Sequence, residues 1–186
     1  MIGTAGHQLR RARRADAPRI ARLHAESWRR YYRGAYADAF LDGEVEADRR
    51  DEWSRRLQEP ELGRTATILA EQGGSLLGFV HVIFDDDPTW GALVDNIHVA
   101  VAGQRSGLGT RLMTAAAEAV VERSAKSGLY VWVLEQNVPA QAFYQARGGR
   151  CVERAPAVAP GGVAGRLVGA PLKLRYVWPE AEALRR

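Results

Sequence analysis

The chain has 186 residues, 46% of them hydrophobic, with a formal charge of +4 and a pI near 9.6. That length suits one sizeable core and is short for two, so a single domain over residues 1–186 is expected. No apolar run approaches the roughly 18 residues that span a bilayer. The N-terminus is charged where a signal peptide would be apolar, so a soluble, cytoplasmic protein with no membrane partner is expected.

Cys151 is the single cysteine, which excludes an internal disulfide, and no Cys/His cluster has zinc-site spacing, so no metal is expected. The basic charge is unevenly spread. Nine arginines fall between Arg10 and Arg33 against Asp16 and Glu26, and Gly34–Leu62 reverses this with nine carboxylates, Glu59 and Glu61 among them, against four arginines. Much of the basic run can pair with its acidic neighbour. With no helix-turn-helix spacing or RNA-binding aromatic motif, nucleic-acid binding is not expected and stays an alternative only.

In chain order, "LRRARRAD" predicts a short strand from Leu9 ending at Asp16, which caps a helix carrying Pro18 in its first turn. Ile20, Leu23, His24 and Trp28 recur at helical spacing. "AYADAFLDG" predicts a short helix stopped at Gly43, and "EVEADRRDEWSRRL" a longer one. "TATILAE" and "SLLGFVHVIF" flank Gly73-Gly74, a hairpin signal, and "ALVDNIHVAV" adds a third antiparallel strand. "TRLMTAAAEAVVERSAKSG" predicts a helix running to Gly128, "LYVWVL" a buried strand and "VPAQAFYQARGG" a helix. "CVERA" and "LKLRYVW" are two last strands around a loop at Gly161, Gly162 and Gly165. The expected class is mixed α/β on one sheet flanked by helices.

Between the third strand and the long helix stands "AGQRSGLG". A helix start leaves unpaired N–H groups and a partial positive charge that suit a phosphate. Gly107 and Gly109 let backbone approach such a ligand and Arg105 adds a full charge, although glycines closing a tight turn would look the same. The patterns for a nucleoside triphosphate loop and for a dinucleotide fold are absent.

About thirty residues on, Asn137 ends an apolar strand, followed by Ala140, Phe143 and Tyr144. Val99, Gln104, Gly107 and Gly109 match V-x-x-x-x-[Q/R]-x-x-G-x-[G/A], and Asn137, Ala140, Phe143 and Tyr144 match N-x-x-A-x-x-F-Y. Together, in order and on the predicted elements, they resemble the GNAT superfamily of acetyl-CoA-dependent N-acetyltransferases over nearly the whole chain. Val101 replaces a proline and Arg105 a glycine common in that family, and neither change removes a backbone donor.

The resemblance implies a largely antiparallel sheet splayed at an acetyl-CoA slot. It implies that the coenzyme A pyrophosphate rests on the N–H groups of Gln104, Arg105, Ser106, Gly107, Leu108, Gly109 and Thr110. It further implies that the pantetheine arm pairs with Val99 and Val101, and that Asn137 and Phe143 contact the cofactor. Asn137 as a plain helix N-cap is an equal reading. Tyr144 matches the acid that reprotonates the leaving thiolate, against a ring that only packs, and the Val99 N–H would meet the oxyanion.

For the base, Asp95, His98 and Glu135 are candidates, with His98 preferred. Asp95 and His98 face one side only if a bulge breaks the strand alternation. His24 and His81 read as structural. The expected reaction is direct acetyl transfer to a primary amine of a small molecule or peptide, in a ternary complex. Trp28, Tyr31, Tyr32, Tyr36, Trp90 and Trp132 line an acceptor pocket or fill the core. A non-catalytic acyl-CoA-binding module is the alternative, and a homodimer is left open.

Overall fold

The structure, a computed structural model, describes residues 7–58 and 63–185, so Glu59 and Glu61 lie outside the described residues. One seven-stranded sheet runs in the order β1-β2-β3-β4-β5-β7-β6. Its strands are β1 Gln8–Arg11, β2 Thr65–Gln72, β3 Ser75–Asp87, β4 Gly91–Val99, β5 Leu129–Leu134, β6 Arg150–Pro156 and β7 Leu172–Trp178. Every pairing is antiparallel except β4 with β5. Gly73 and Gly74, at φ 55° and 80°, make the two-residue turn that joins β2 to β3 with the twist a hairpin needs.

Helices α1 Ala17–Tyr31 and α2 Val45–Gln58 cover one face, and α3 Leu108–Arg123 and α4 Val138–Ala146 the other. The stripe Ile20, Leu23, His24 and Trp28 is buried as its spacing predicts. Trp53 of α2 packs edge-on against Phe79 and His81 of β3 at 5.1 and 5.4 Å. Under the other face Leu112, Met113, Ala116 and Val120 of α3 join Val131 and Tyr176 in the main core.

Three local expectations are corrected. Gly43 stops nothing: Phe40–Glu44 form a π-helical turn that runs straight into α2, and the extra residue keeps Phe40, Leu41 and Val45 all buried. Asp16 does not cap α1 with its side chain. It is buried, ion-paired to Arg10 at 2.7 Å, and accepts the Arg13 N–H at 2.8 Å. The long helix ends at Arg123, not Gly128, because the Asp85 carboxylate accepts the Ser124 hydroxyl and the Ala125 N–H and turns the chain there.

The parallel pair defines the site. β4 and β5 are bonded only where Ala92–Val94 meet Leu129–Val131, and beyond that point the two strands continue apart. On its other edge β4 pairs Val94 with Val82 and Asn96 with His81, so Asp95 is an extra, bulged residue. A bulge increases local twist, which swings the end of β4 away from β5.

Candidate active site

A cavity of about 500 Å³ fills the opening between β4 and β5. Its β4 wall is an unpaired strand edge. The Ala100 N–H donates to the Leu77 carbonyl at 2.8 Å, which fixes the alternation so that Ile97 and Val99 turn their N–H and C=O away from β3 into the slot. Val101 was expected to share this edge with Val99 as a partner of the pantetheine arm, and its place on the strand is corrected. Val101 sits in a 3₁₀ turn, Val101–Gly103, with its carbonyl taken by the Gln104 N–H at 3.2 Å and 62% of its surface exposed.

The loop after that turn is shaped for an anion. Arg105 and Gly107 both have positive φ, 60° and 78°, an alternation that turns successive N–H groups to one side. The first helical bond is Arg111 N–H to the Gly107 carbonyl, and among the described residues the N–H groups of 105–110 have no backbone acceptor. The Gln104 N–H, expected with them, is already used. Ser106 does not line the cavity, and its hydroxyl donates to the Gly103 carbonyl at 2.7 Å and braces the loop. A Cβ on Gly109 would meet the Phe143 ring at 3.4 Å, and one on Gly103 would press Leu108 at 3.0 Å. These features fit a pyrophosphate: free donors, a helix start, Arg105 beside them, and no side chain between.

On the β5 side, Asn137 caps α4, its Oδ1 accepting the Ala140 N–H at 3.3 Å, and it also lines the cavity. Both readings of Asn137 are therefore compatible. Tyr144 is 5% exposed, edge-on to Phe143 at 5.5 Å, with its ring in the main core and no hydrogen bond to its hydroxyl among the described residues. Burial holds its phenol well above the usual tyrosine range.

The sequence model of the Acetyltransferase (GNAT) family matches residues 18–149. The chain belongs to the GNAT family. It is similar to the uncharacterized N-acetyltransferase YuaI of Bacillus subtilis, 28% identical over 140 residues that cover 74% of this chain and 77% of that protein. Its fold is similar to that of the PaiA N-acetyltransferase from Thermoplasma acidophilum, solved in complex with coenzyme A. The TM-score is 0.71 at 13% identity, covering 93% of this chain and 99% of that one. The yncA acetyltransferase of Salmonella typhimurium, solved with its cofactor acetyl-CoA, aligns with a TM-score of 0.63 at 19% identity over 93% of each chain.

In this GNAT fold the bulge brings Asp95 and His98 to one side, the condition under which both can serve. Arg56 of α2 donates to Asp95 Oδ2 at 2.6 Å, and Asn96 Nδ2 donates to the same oxygen at 2.5 Å. Asp95 Oδ1 has no partner among the described residues. His98 Nδ1 lies 2.7 Å from Ser27 Oγ of α1, and its ring is 4.5 Å from that of His24. Burial, helped by Arg49 and opposed by Asp95, lowers the His98 pKa to about 4, so the ring is neutral near pH 7. Glu135 stands outside the cavity, paired with Arg154 at 2.8 Å.

His24 and His81 are buried and bonded, His24 Nδ1 accepting the Trp53 Nε1–H at 3.0 Å and His81 Nδ1 lying 2.8 Å from Thr67 Oγ1. Tyr31, Tyr32 and Trp132 line the cavity, whereas Trp28 and Tyr36 are buried outside it and Trp90, half-buried in the turn before β4, does not reach it. Much of the arginine block is internally paired, Arg29 with Glu46, Arg33 with Asp38 and Asp42, and Arg10 and Arg19 with Asp16 and Glu71. Among the described residues no cluster of three or more His, Cys, Asp or Glu could hold a metal, and no helix is long and apolar enough to cross a membrane.

Sequence reasoning missed Ser27, Ile97 and Arg56. A serine on the buried stripe of α1 and strand alternation back from Val99 were usable signals for the first two. Nothing local marks Arg56, which acts across 39 residues.

Proposed function

We propose that the chain transfers an acetyl group from acetyl-CoA to a primary amine by direct attack in a ternary complex. One observation carries this reading: a single cavity runs from the free N–H groups of 105–110, along the edge of Ile97 and Val99, to Asp95, His98 and Tyr144. Substrate phosphates at the loop and a thioester at the strand edge place the reacting carbonyl among those three side chains. The Val99 N–H, turned into the slot, is the donor for the developing oxyanion.

An alkyl ammonium has a pKa near 10.4 in water, and burial in the same cavity lowers it. Asp95 Oδ1 orients the incoming ammonium, and neutral His98 takes its proton. The amine lone pair then forms the N–C bond, the C–S bond breaks as Tyr144 gives its proton to sulfur, and the nitrogen's second proton passes back to the Tyr144 oxygen, leaving the first proton on His98 to be lost to solvent. Burial raises the thiolate's basicity as it raises the phenol's, which keeps the two within reach of transfer. Cys151, exposed on β6, is outside the cavity, so no thiol stands ready for an acyl-enzyme route.

An acceptor screen that follows free-thiol release from acetyl-CoA tests this. Amine-dependent release supports the transferase reading. Saturable acetyl-CoA binding with no release across diamines, amino acids, peptides and aromatic amines would leave a binding module instead.

A further inference from the structure

Behind Asp95 lies a second cavity of about 560 Å³, between α2, Trp28 of α1 and Pro160–Gly161 of the β6–β7 loop. Its walls carry three carboxylates and three guanidiniums, and the bonding capacity left on them is lopsided. Asp48 gives one oxygen to Arg49 and the other to Arg166, at 2.5 and 2.6 Å. Glu52 gives one oxygen to Arg56 at 2.5 Å and the other to Arg55. Only Asp51, on the exposed rim, keeps both oxygens unpartnered among the described residues.

The donors are not used up. Arg49 spends Nε and Nη2 on Asp48 and keeps Nη1, while its guanidinium is held 4.4 Å over the Trp28 ring with 11% of the side chain exposed. Arg56 spends Nε on Glu52 and Nη1 on Asp95 and keeps Nη2. Arg55 spends Nη2 alone. Three guanidiniums with spare N–H groups face one free carboxylate, a balance that suits an anion with planar, two-pronged acceptors.

Arg56 stands between the two cavities: it lines the second and bonds Asp95, which lines the first. Its Nη1 holds the Asp95 carboxylate, and its Nη2 has no partner among the described residues. Trp28, which walls the second cavity, stacks at 5.4 Å on Tyr32, which walls the first. An anion on Arg49 and Arg56 therefore lies a short chain away from an amine on Asp95 Oδ1.

We propose that the second cavity holds a carboxylate of the amine acceptor, so that the favoured acceptors are amino carboxylates with a short chain between the two groups. This rests on the transferase reading for the meaning of "acceptor", but its test does not need turnover. Calorimetric titration of the CoA-loaded protein with 5-aminopentanoate, 5-aminopentanamide and 1,5-diaminopentane at one ionic strength compares three ligands of one length. The carboxylate should bind about tenfold tighter than the amide, the scale of a hydrogen bond to a charged group. In Arg49→Gln that preference should shrink to about twofold or less. Equal binding of carboxylate and amide, no binding of either, or tighter binding of the diamine with loss in Asp51→Asn would overturn the subsite. Thiol release measured with the same ligands separates the two claims: release without carboxylate preference keeps the transferase and removes the subsite, and preference without release does the reverse.

Discussion

His98 Nδ1 and Ser27 Oγ lie 2.7 Å apart, tying the strand that carries the candidate base to the first helix. With one ring nitrogen engaged there, Nε2 is the nitrogen left to exchange a proton with the amine. His98→Gln should slow single-turnover acetylation about a hundredfold at neutral pH, the scale of general base catalysis. The loss should shrink for amines of low pKa, which arrive already neutral. A loss that is the same for all amines, or absent, would move the proton to water or Asp95. Ser27→Ala should cost about tenfold in rate with little change in acetyl-CoA affinity, because it loosens the ring rather than removing it.

The pH profile follows from burial. His98 titrates at about 4, so it places no acid limb between pH 7 and 5, and Tyr144, raised above the usual range, places no basic limb below pH 10. Single-turnover rates at saturating amine, bound as the ammonium, should be flat across pH 6–9. An inflection near 6.5 would show a solvent-like histidine and contradict the buried geometry.

Fold stability should respond where activity does not. His24, His81 and His98 all have folded pKa values below the unfolded value, with burial as the first cause in each. From about 6.5 down to about 4 the unfolded chain binds protons that the folded chain does not, so stability falls as pH falls through that window. Each histidine contributes up to about 1.4 kcal/mol per pH unit. Urea midpoints at pH 7 and pH 5 measure this, and equal midpoints would contradict it.

Gly107 has open space where a Cβ would stand, so its φ of 78° is what favours glycine. Gly107→Glu combines backbone strain with a negative charge at the anion loop, and acetyl-CoA binding should be lost by calorimetry in a variant that still unfolds cooperatively. Retained affinity would remove residues 105–110 from the phosphate site.

Much of this was legible in the sequence because it is written locally. The Gly73-Gly74 turn, the apolar period of α1 and the two motifs each fit within a dozen residues. The failures are places where tertiary contacts decide. "VAVA" continues a strand pattern, yet Ala100 is the last residue bonded to β3 and Val101 already turns, so the free edge is one step earlier, at Ile97 and Val99. Gly43 looks like a helix stop, but burial of Phe40 and Leu41 within the π turn and of Val45 just after it carries the helix through it. The bulge at Asp95 was a condition that only strand register could meet, and Arg56 and Ser27 reach the site across 39 and 71 residues.

The most direct test of the central claim is the single-turnover rate of Tyr144→Phe, measured beside its acetyl-CoA affinity. The ring sits in the main core and lines the cavity, and phenylalanine keeps both roles while removing the hydroxyl proposed to protonate sulfur. The account predicts an acetyl-CoA affinity within about twofold of the parent and a single-turnover rate lower by about a hundredfold or more. A phenylalanine variant that acetylates amines at the parent's single-turnover rate would contradict the assignment of Tyr144 as the acid.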